Sequence, residues 1–273
     1  MRYCKYLSAD GPRYASVEMR DGVAWAVGVM APPPEDLAAL MLAERSPAGG
    51  FEAVALVDLQ QQGKLLAPVT PSKIVCVGRN YRDHAAELGN DVPAEPLLFL
   101  KPPSSLLAPG ATVRMPGLSK RIDFEGELAI VIGKRCSKLT DAEDVRGYIR
   151  GYTCLNDVTA RDIQKSDPQW TRGKGYDTFC PVGPLVTDEI DAIANDVSLT
   201  TRVNGDAKQH GQTTDFIFDI PHLLRYITAC MTLEVGDVIA TGTPAGVGAL
   251  NAGDVVEVEV AGIGVLSNPF AAA

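Results

Sequence analysis

Short apolar runs, separated by glycine, proline and polar residues, dominate the chain after residue 73. The runs that predict strands are KIVCVG, PLLFLK, ELAIVIGK, GYIRGYTCLN, PLVT, LTTRVNG, GDVIATG and DVVEVEV. Helical patterns are fewer and short, and they cover 81–88, 141–147, 157–165 and 220–230. Many strands at irregular spacing with few long helices predict an α+β fold that is predominantly β, rather than an alternating βαβ fold.

The first 70 residues have a pattern of their own. The runs YASVEM and VAWAVGV alternate like strands on either side of Arg20–Gly22, which predicts a hairpin. After the proline run APPP, an alanine- and leucine-rich stretch predicts a short helix over 35–45. We therefore expect a small β-rich N-terminal domain over 1–70 and a main domain over 71–273.

Composition and charge narrow the function classes. The 273 residues are 46% hydrophobic, enough for a substantial core, and the formal net charge is −9. This acidity argues against a nucleic-acid partner. No apolar run approaches the roughly 18 residues that span a bilayer, and the N-terminus is too polar for a signal peptide. Six scattered cysteines without a C-x-x-C pattern indicate free thiols. A cytoplasmic protein without a membrane or nucleic-acid partner is expected.

The stretch FEGELAIVIGK at 124–134 places two acidic residues inside an otherwise apolar strand pattern. Residues two apart on a strand point to the same face, so Glu125 and Glu127 project together. Their like charges repel, and a divalent cation would remove this repulsion. The alternative is a solvated strand face, which is the commoner explanation when this stretch is taken alone.

A second stretch, NDVTARDIQ at 156–164, follows the apolar strand pattern GYTCL. Asn156 or Asp157 could cap a helix that begins at Val158. Asp157, Arg161 and Gln164 would then lie on one helix face, a combination that suits an anionic ligand beside a cation. The alternative is an N-cap with an ordinary ion pair between residues four apart.

Together, Glu125, Glu127 and Asp157 would form an all-oxygen site without cysteine or histidine. Such a donor set favours Mg²⁺, Mn²⁺ or Ca²⁺ over zinc. Three protein oxygens leave positions on an octahedral ion for water or a chelating substrate, which a catalytic site needs.

One of only three histidines lies in GRNYRDHAAELG at 78–89. Asn80 could cap a short helix there and Gly89 could end it. His84 and Glu87 would then share a face, so the carboxylate could orient the imidazole as a general base. An H-x-x-E pair on a surface helix is weak evidence by itself.

Two glycine-rich loops carry further candidates. The ammonium of Lys174, in TRGKGYDTFCP, could stabilise a developing enolate or bind a carboxylate, although a lysine in such a loop is usually solvated. The turn TGTPAGVG could hold an oxyanion with its amides and the Thr243 hydroxyl. Dinucleotide-binding, P-loop, G-x-S-x-G and H-E-x-x-H motifs are absent from the sequence.

Taken together, these stretches resemble the fumarylacetoacetate hydrolase family. The motifs that carry the resemblance occur in this order: G-R-N-Y-x-D-H (78–84), F-L-K-P (99–102), F-E-x-E-L (124–128), N-D-V-T-A-R-D-x-Q (156–164), K-G-Y-D-T-F-x-P-x-G-P (174–184) and G-D-V-I-A-T-G-T-P-x-G-V-G (236–248). Their order and spacing are far more specific than any one motif. The 1–70 segment resembles the small N-terminal domain of many bacterial members less distinctively.

The resemblance implies a β-rich fold rolled from mixed sheets, usually in homodimers. It implies a Mg²⁺ or Mn²⁺ ion at Glu125, Glu127 and Asp157, with Ca²⁺ as a substitute in crystals, and a small anionic 2-oxo or β-diketo acid as substrate. The positions implied to contact substrate or support the metal are Arg79, Tyr81, Arg161, Gln164, Lys174 and Thr243. His84 and Glu87 match the water-activating pair of the acylpyruvate hydrolase and oxaloacetate decarboxylase branch, where a short helix orders as a lid.

These implications predict metal-dependent cleavage of a carbon–carbon bond in acylpyruvates, with oxaloacetate decarboxylation as a second activity of the same site. His84, oriented by Glu87, would activate water, and Lys174 would offset negative charge on the enolate that leaves. The alternative is an isomerase or tautomerase of the 2-hydroxyhepta-2,4-diene-1,7-dioate type. A non-catalytic binding protein is disfavoured, because the polar groups around the three carboxylates are intact.

Overall fold

The computed structural model describes residues 1–46, 49–87 and 92–272. Within these ranges the strands are β1 (Arg2–Ser8), β2 (Gly11–Arg20), β3 (Val23–Met30), β4 (Val54–Ala55), β5 (Leu65–Leu66), β6 (Ile74–Gly78), β7 (Leu97–Lys101), β8 (Leu106–Leu107), β9 (Val113–Arg114), β10 (Ile122–Phe124), β11 (Gly126–Ile132), β12 (Ile149–Asn156), β13 (Thr159–Ala160), β14 (Cys180–Thr187), β15 (Ser198–Val203), β16 (Asp206–Gln212), β17 (Val238–Ala240), β18 (Gly248–Ala249), β19 (Val255–Val260) and β20 (Gly264–Ala271).

Helices are short in the same described ranges. The α-helices are α1 (Leu37–Arg45), α2 (Leu56–Gln61), α3 (Arg82–Glu87), α4 (Arg161–Ser166), α5 (Thr171–Lys174) and α6 (Ile220–Cys230). Single 3₁₀ turns cover Pro103–Ser105, Val145–Tyr148 and Thr213–Asp215. None of the described helices is long and apolar enough to cross a membrane. The predicted α+β class with a predominance of β structure is confirmed.

Most of the described strands join one large mixed sheet, in the order β4-β3-β2-β1-β14-β12-β11-β17-β6-β7. A five-stranded sheet has the order β16-β15-β19-β20-β9, and a small sheet has the order β13-β10-β18. Neighbours in the large sheet are antiparallel except β6 and β17, and β8 on β14, which are parallel. All the strands predicted after residue 73 are present. The additional strands are β1, β4, β5, β8, β9, β10, β13, β16, β18 and β20, and most of these are only two or three residues long.

The central strand β11 is buried along its whole length. On one face, Leu128, Ile130 and Ile132 pack in a large core with apolar residues of β15, β19 and α6. On the other face, Ala129 and Val131 pack in a second core with residues of β6, β14 and β17. Because both faces are apolar and covered, β11 is a rigid support for the residues at its beginning.

The N-terminal hairpin has the geometry that its sequence predicts. β2 and β3 pair in antiparallel register around Asp21 and Gly22, which have φ angles of 50° and 79°. Two left-handed residues in a two-residue loop match the twist of the flanking strands, and glycine tolerates this conformation without strain. β1 pairs with β14, so the first strands extend the large sheet. The division into domains at residue 70 stays a prediction.

Several local predictions differ from the structure. The helix predicted over 141–147 is a 3₁₀ turn at Val145–Tyr148. The helix predicted to begin at Val158 begins at Arg161 instead, because Thr159–Ala160 pairs with β10 before the chain turns. Asp157 therefore does not cap this helix or share a face with Arg161 and Gln164; it lies in the connection after β12.

The prediction that Asn80 caps α3 is wrong. Asn80 is buried, and its side chain instead connects two loops that are distant in the sequence. Its side chain donates to the carbonyl oxygens of Phe218 and Thr241 at 3.1 and 2.8 Å and accepts from the Phe218 amide at 2.9 Å. These contacts fix the connection between β6 and α3. Gly89, predicted to end the helix, lies outside the described residues.

Gly126, between the two glutamates, has no room for a side chain. A Cβ there would lie 2.0 Å from Oγ1 of Thr201 and 3.2 Å from Cγ2 of Val258. We expect Gly126→Ala to lower the free energy of unfolding by about 1–3 kcal/mol, measured by urea denaturation. Gly117→Ala, where the Cβ would contact nothing, is the matched control and should be nearly neutral.

Thr201→Ala should partly rescue Gly126→Ala, because it removes the closest clashing atom, and that hydroxyl has no hydrogen-bond partner among the residues that the structure describes. Additive effects in the double variant would contradict this packing argument.

Candidate active site

One cavity of about 530 Å³ brings the predicted site residues together, with the exception of Tyr81. The side chains and backbone that line it are Val77, Gly78, Arg79, His84, Glu87, Phe99, Glu125, Glu127, Asp157, Arg161, Gln164, Lys165, Asp167, Trp170, Lys174 and Thr243. Cavities of this size hold small organic ligands.

Glu125, Glu127 and Asp157 form a buried carboxylate triad. One oxygen of each lies within 4.8 Å of the others, and the three residues are only 5%, 2% and 1% exposed. The pairing of Gly126 with Asn156 across β11 and β12 brings the three together. The Asp157 amide also donates to the carbonyl of Glu125 at 2.8 Å. The solvated strand face considered from the sequence is therefore wrong.

Three buried cations surround the triad. Lys174 Nζ donates to Glu125 Oε2 at 2.7 Å and to Asp157 Oδ2 at 2.5 Å. Lys101 Nζ donates to Asp157 Oδ1 at 2.5 Å, and Arg161 pairs with Glu125. Burial opposes charge on Lys174, but Asp157 and Glu125 outweigh it and raise the pKa of the ammonium. Lys174 is thus a buried charged group. The alternative considered from the sequence, a lysine exposed to solvent in a glycine-rich loop, is wrong.

The two glutamates have opposite electrostatic surroundings. Burial alone would raise the pKa of Glu125, but Lys174 and Arg161 reverse this and hold it below its usual range. Burial and the charges of Asp157 and Glu125 hold the pKa of Glu127 well above its usual range. Glu127 accepts a hydrogen bond from the Gly242 amide at 2.7 Å, and it has no ion pair among the described residues.

The triad fits a hard divalent cation. Its ligand atoms are all carboxylate oxygens, the donors that Mg²⁺, Mn²⁺ and Ca²⁺ prefer. Glu127 is a buried carboxylate that lacks a counter-charge, and a cation among the three oxygens would supply one. Mutual repulsion among the three would fall in the same way.

His84 and Glu87 lie in the wall of the same cavity, on α3. His84 Nδ1 is 3.4 Å from Glu87 Oε2, and His84 is 4% exposed. Burial lowers the pKa of His84 below its ordinary 6.5, despite the opposing charges of Glu125 and Glu87. The Gly246 amide donates to both Glu87 oxygens at 3.1 Å and holds the carboxylate in place. The imidazole is therefore oriented and neutral near pH 7, as a general base requires.

The loop after β17 connects this pair with the triad. Thr243 Oγ1 donates to the Gly126 carbonyl at 2.8 Å, and Gln209 Nε2 donates to Thr243 Oγ1 at 2.7 Å. Gln209 Oε1 accepts from the Gly126 amide at 3.0 Å. Both backbone polar groups of Gly126 thus have partners, and the loop that contacts Glu127 and Glu87 is attached to the same residue.

Tyr81 was predicted to contact substrate, but the structure places it elsewhere. It is 3% exposed, packs edge to face on Phe216 with ring centroids 5.1 Å apart, and faces a separate, smaller cavity. Arg79 and Gln164 do line the main cavity, and Gln164 accepts from Arg161 Nη1 at 2.6 Å. The arrangement gives no support to a substrate contact from Tyr81.

Three polar residues that support the site were not singled out from the sequence. Lys101 lies in the F-L-K-P motif, so the motif itself was a usable signal. Asp123 pairs with Arg161 at 2.9 Å. It lies two residues before Glu125, in the same alternating pattern as the two glutamates, so this spacing was a usable signal. Gln209 lies in an ordinary polar strand pattern, and nothing local distinguishes it.

A bound divalent cation should stabilise the native protein. At 100 times the dissociation constant, Mg²⁺ or Mn²⁺ is expected to raise Tm by roughly 5–10 °C, since binding at that excess contributes about 2.7 kcal/mol. Differential scanning calorimetry measures this shift. Glu127→Gln should remove most of it, whereas Glu18→Gln, on the exposed hairpin, should leave it unchanged. An equal shift in both variants would contradict binding at the triad.

The sequence and the fold also match known proteins. The family model described as the fumarylacetoacetate hydrolase C-terminal domain matches residues 73–271. The chain is 43% identical over 218 residues to oxaloacetate tautomerase YisK of Bacillus subtilis, covering 75% of this chain and 72% of the relative. It is 47% identical over 200 residues to a mitochondrial oxaloacetate decarboxylase of Dictyostelium discoideum, covering 71% and 91%.

Solved structures agree over the whole length. The crystal structure of 2-hydroxyhepta-2,4-diene-1,7-dioate isomerase from Mycobacterium marinum matches with a TM-score of 0.82 and 42% identity. The match covers 100% of this chain and 98% of the isomerase chain. The matched fold includes the mixed sheets that carry the triad. From the family match, these similarities and the six motifs, we conclude that this chain belongs to the fumarylacetoacetate hydrolase family.

Proposed function

We propose that the chain is a divalent-metal-dependent enzyme that breaks the C3–C4 bond of 2-oxo acids, with oxaloacetate as the first substrate to test. The observation that carries the proposal is the cavity that contains the carboxylate triad together with buried His84, whose Nδ1 lies 3.4 Å from Glu87 Oε2. The oxaloacetate decarboxylase name of one relative supports the choice of substrate. Acylpyruvate hydrolysis at the same site, a cytoplasmic location and a homodimer stay predictions.

Glu125, Glu127 and Asp157 are the residues that would hold a Mg²⁺ or Mn²⁺ ion. Such an ion supplies Lewis acidity towards the oxo and carboxylate oxygens of a 2-oxo acid. Burial and the charges of Asp157 and Glu125 raise the pKa of Glu127, and a bound cation would offset both effects.

Two cations have donors left for an anionic substrate. The Lys174 ammonium has three N–H groups, and two of them contact Glu125 and Asp157. The Arg161 guanidinium has five, of which three contact Asp123, Gln164 and Glu125. Both groups are held rigidly by these contacts, so their remaining donors are preorganised to stabilise negative charge that develops on the substrate.

In oxaloacetate, the C3–C4 bond breaks, its electron pair moves into the C2–C3 bond as the enolate forms, and C4 leaves as CO₂. No attacking water is needed, and C3 later takes a proton from water. In an acylpyruvate, His84 takes a proton from water while the water oxygen bonds to the distal carbonyl carbon. The C3–C4 bond then breaks and releases a carboxylic acid with the enolate of pyruvate.

The second candidate is tautomerisation, in which His84 takes a proton from C3 and the 2-oxo oxygen gains a proton without any carbon–carbon cleavage. The neutral, oriented state of His84 favours it, because the same base can remove a C–H proton. The names of the tautomerase relative and of the isomerase structure also favour it. Both candidates use the same enolate, so the products distinguish them.

Purified protein with Mg²⁺ should convert oxaloacetate to pyruvate, measured with lactate dehydrogenase and NADH. The rate should exceed that of Mg²⁺ without protein and should return to this background with excess EDTA or in Glu127→Gln. Accelerated keto–enol equilibration without pyruvate would instead establish the tautomerase. Neither activity in metal-loaded protein would contradict the proposed function.

Glu87→Gln should separate the reactions that need a base from the one that does not. Acetylpyruvate hydrolysis should fall about 10²–10⁴-fold, because a neutral amide supports the imidazolium that forms on proton transfer less well. Oxaloacetate decarboxylation should stay within about threefold, since no water attacks. Steady-state kinetics with both substrates measures the split, and equal losses would contradict the assigned role of the His84–Glu87 pair.

A further inference from the structure

Arg79 is held in an unusual way at the edge of the cavity. It follows β6 with a φ angle of 57°, in the left-handed region that few residues other than glycine and asparagine adopt. Its Nε is buried and has no hydrogen-bond partner in the described part of the chain. A buried guanidinium nitrogen without an acceptor is unfavourable, so the arrangement indicates an acceptor that the protein itself does not supply.

The acidic groups of the cavity are already engaged. Glu125 and Asp157 accept from Lys174, and Glu87 accepts from Gly246. Glu127 belongs to the triad, and Asp167 forms a two-point ion pair with Arg172 at 2.7 Å for both contacts. Among the described residues, none of these carboxylates is within ion-pair distance of Arg79.

Two aromatic rings separate Arg79 from the cations of the triad. Lys174 Nζ lies 5.1 Å from the Phe99 ring, Phe99 is 5.3 Å from Trp170 in an edge-to-face pair, and Arg79 Cζ lies 5.9 Å from the Trp170 ring. All four residues line the cavity. Arg79 therefore has these two rings, rather than an ion pair, between it and the groups that would hold the 2-oxo acid end of a ligand, and its guanidinium lies within cation–π distance of Trp170.

We propose that Arg79, backed by Trp170, is an anion subsite that binds a second carboxylate of the substrate, and so selects 2-oxo dicarboxylic acids over monocarboxylic ones. The proposal rests on the proposed function, since it assumes that the 2-oxo acid end lies at the triad. Arginine suits this task, because its planar fork can donate two parallel hydrogen bonds to a carboxylate. The hydrogen-bond acceptor that Arg79 Nε lacks is then the second carboxylate of the substrate.

Binding can be tested apart from catalysis with two six-carbon ligands. 2-Oxoadipate ends in a carboxylate and 2-oxohexanoate ends in a methyl group. Neither carries a carbonyl or carboxyl carbon at position four, so the proposed reaction does not cleave them. Isothermal titration calorimetry with saturating Mg²⁺ should give a dissociation constant at least about tenfold lower for 2-oxoadipate, as expected for a hydrogen-bonded charge pair.

The variants separate charge from backbone effects. Arg79→Asn removes the cation but tolerates the positive φ, so it should abolish the preference while leaving 2-oxohexanoate binding within about threefold. Arg79→Lys should retain part of the preference. Lys138→Asn is the matched control, because Lys138 is also cationic with a φ of 53° but does not line the cavity, and it should retain all of the preference.

The outcomes are distinct. Equal affinities of the wild-type protein for the two ligands, or an undiminished preference in Arg79→Asn, would overturn the subsite. An equal loss of affinity for both ligands in Arg79→Asn would also overturn the subsite, because it would indicate a general structural role. Binding of neither ligand by the Mg²⁺-loaded wild-type protein would overturn the proposed function, and the subsite with it.

Discussion

Glu125, Glu127 and Asp157 bury three carboxylates within 4.8 Å of one another, and the surrounding residues are arranged around the repulsion between them. Lys101, Lys174 and Arg161 compensate Asp157 and Glu125 by direct ion pairs. Among the described residues, Glu127 accepts only from the Gly242 backbone amide, and burial together with the charges of Asp157 and Glu125 raises its pKa. A buried carboxylate that lacks an ion pair of its own, beside two further carboxylate oxygens, suits the binding of a cation.

The fold makes this cluster rigid rather than adaptable. β11 is covered on both faces, and its pairing with β12 determines where Asp157 lies relative to the two glutamates. Gln209 and Thr243 form hydrogen bonds with the backbone N–H and C=O of Gly126. The loop that carries Thr243 also contacts Glu127 and Glu87. The proposed metal ligands and the proposed general base therefore share one support, which is what a preorganised site requires.

Local chemistry allowed much of the site to be predicted from the sequence. The turn at Asp21–Gly22, the strand ELAIVIGK and the shared face of Glu125 and Glu127 follow from residue type and alternation, whereas Asp157 was assigned to a helix that it does not join. The start of α4 did not, because Thr159–Ala160 pairs with β10, nearly forty residues earlier, and no local pattern records such a contact. The role of Gln209 was missed, and the position of Tyr81 was predicted wrongly, for the same reason. Gln209 is buried by pairing with another strand, and Tyr81 packs on Phe216, which is far away in the sequence.

Family membership leaves several reactions open, and the proposed ones share an enolate that forms beside the carboxylate triad. The account therefore depends most directly on where a divalent ion binds. Anomalous diffraction from crystals grown with Mn²⁺ measures this position. One strong peak in contact with oxygens of Glu125, Glu127 and Asp157 is the predicted result. A peak at other carboxylates, or no peak in protein that binds Mn²⁺ in solution, would contradict the account.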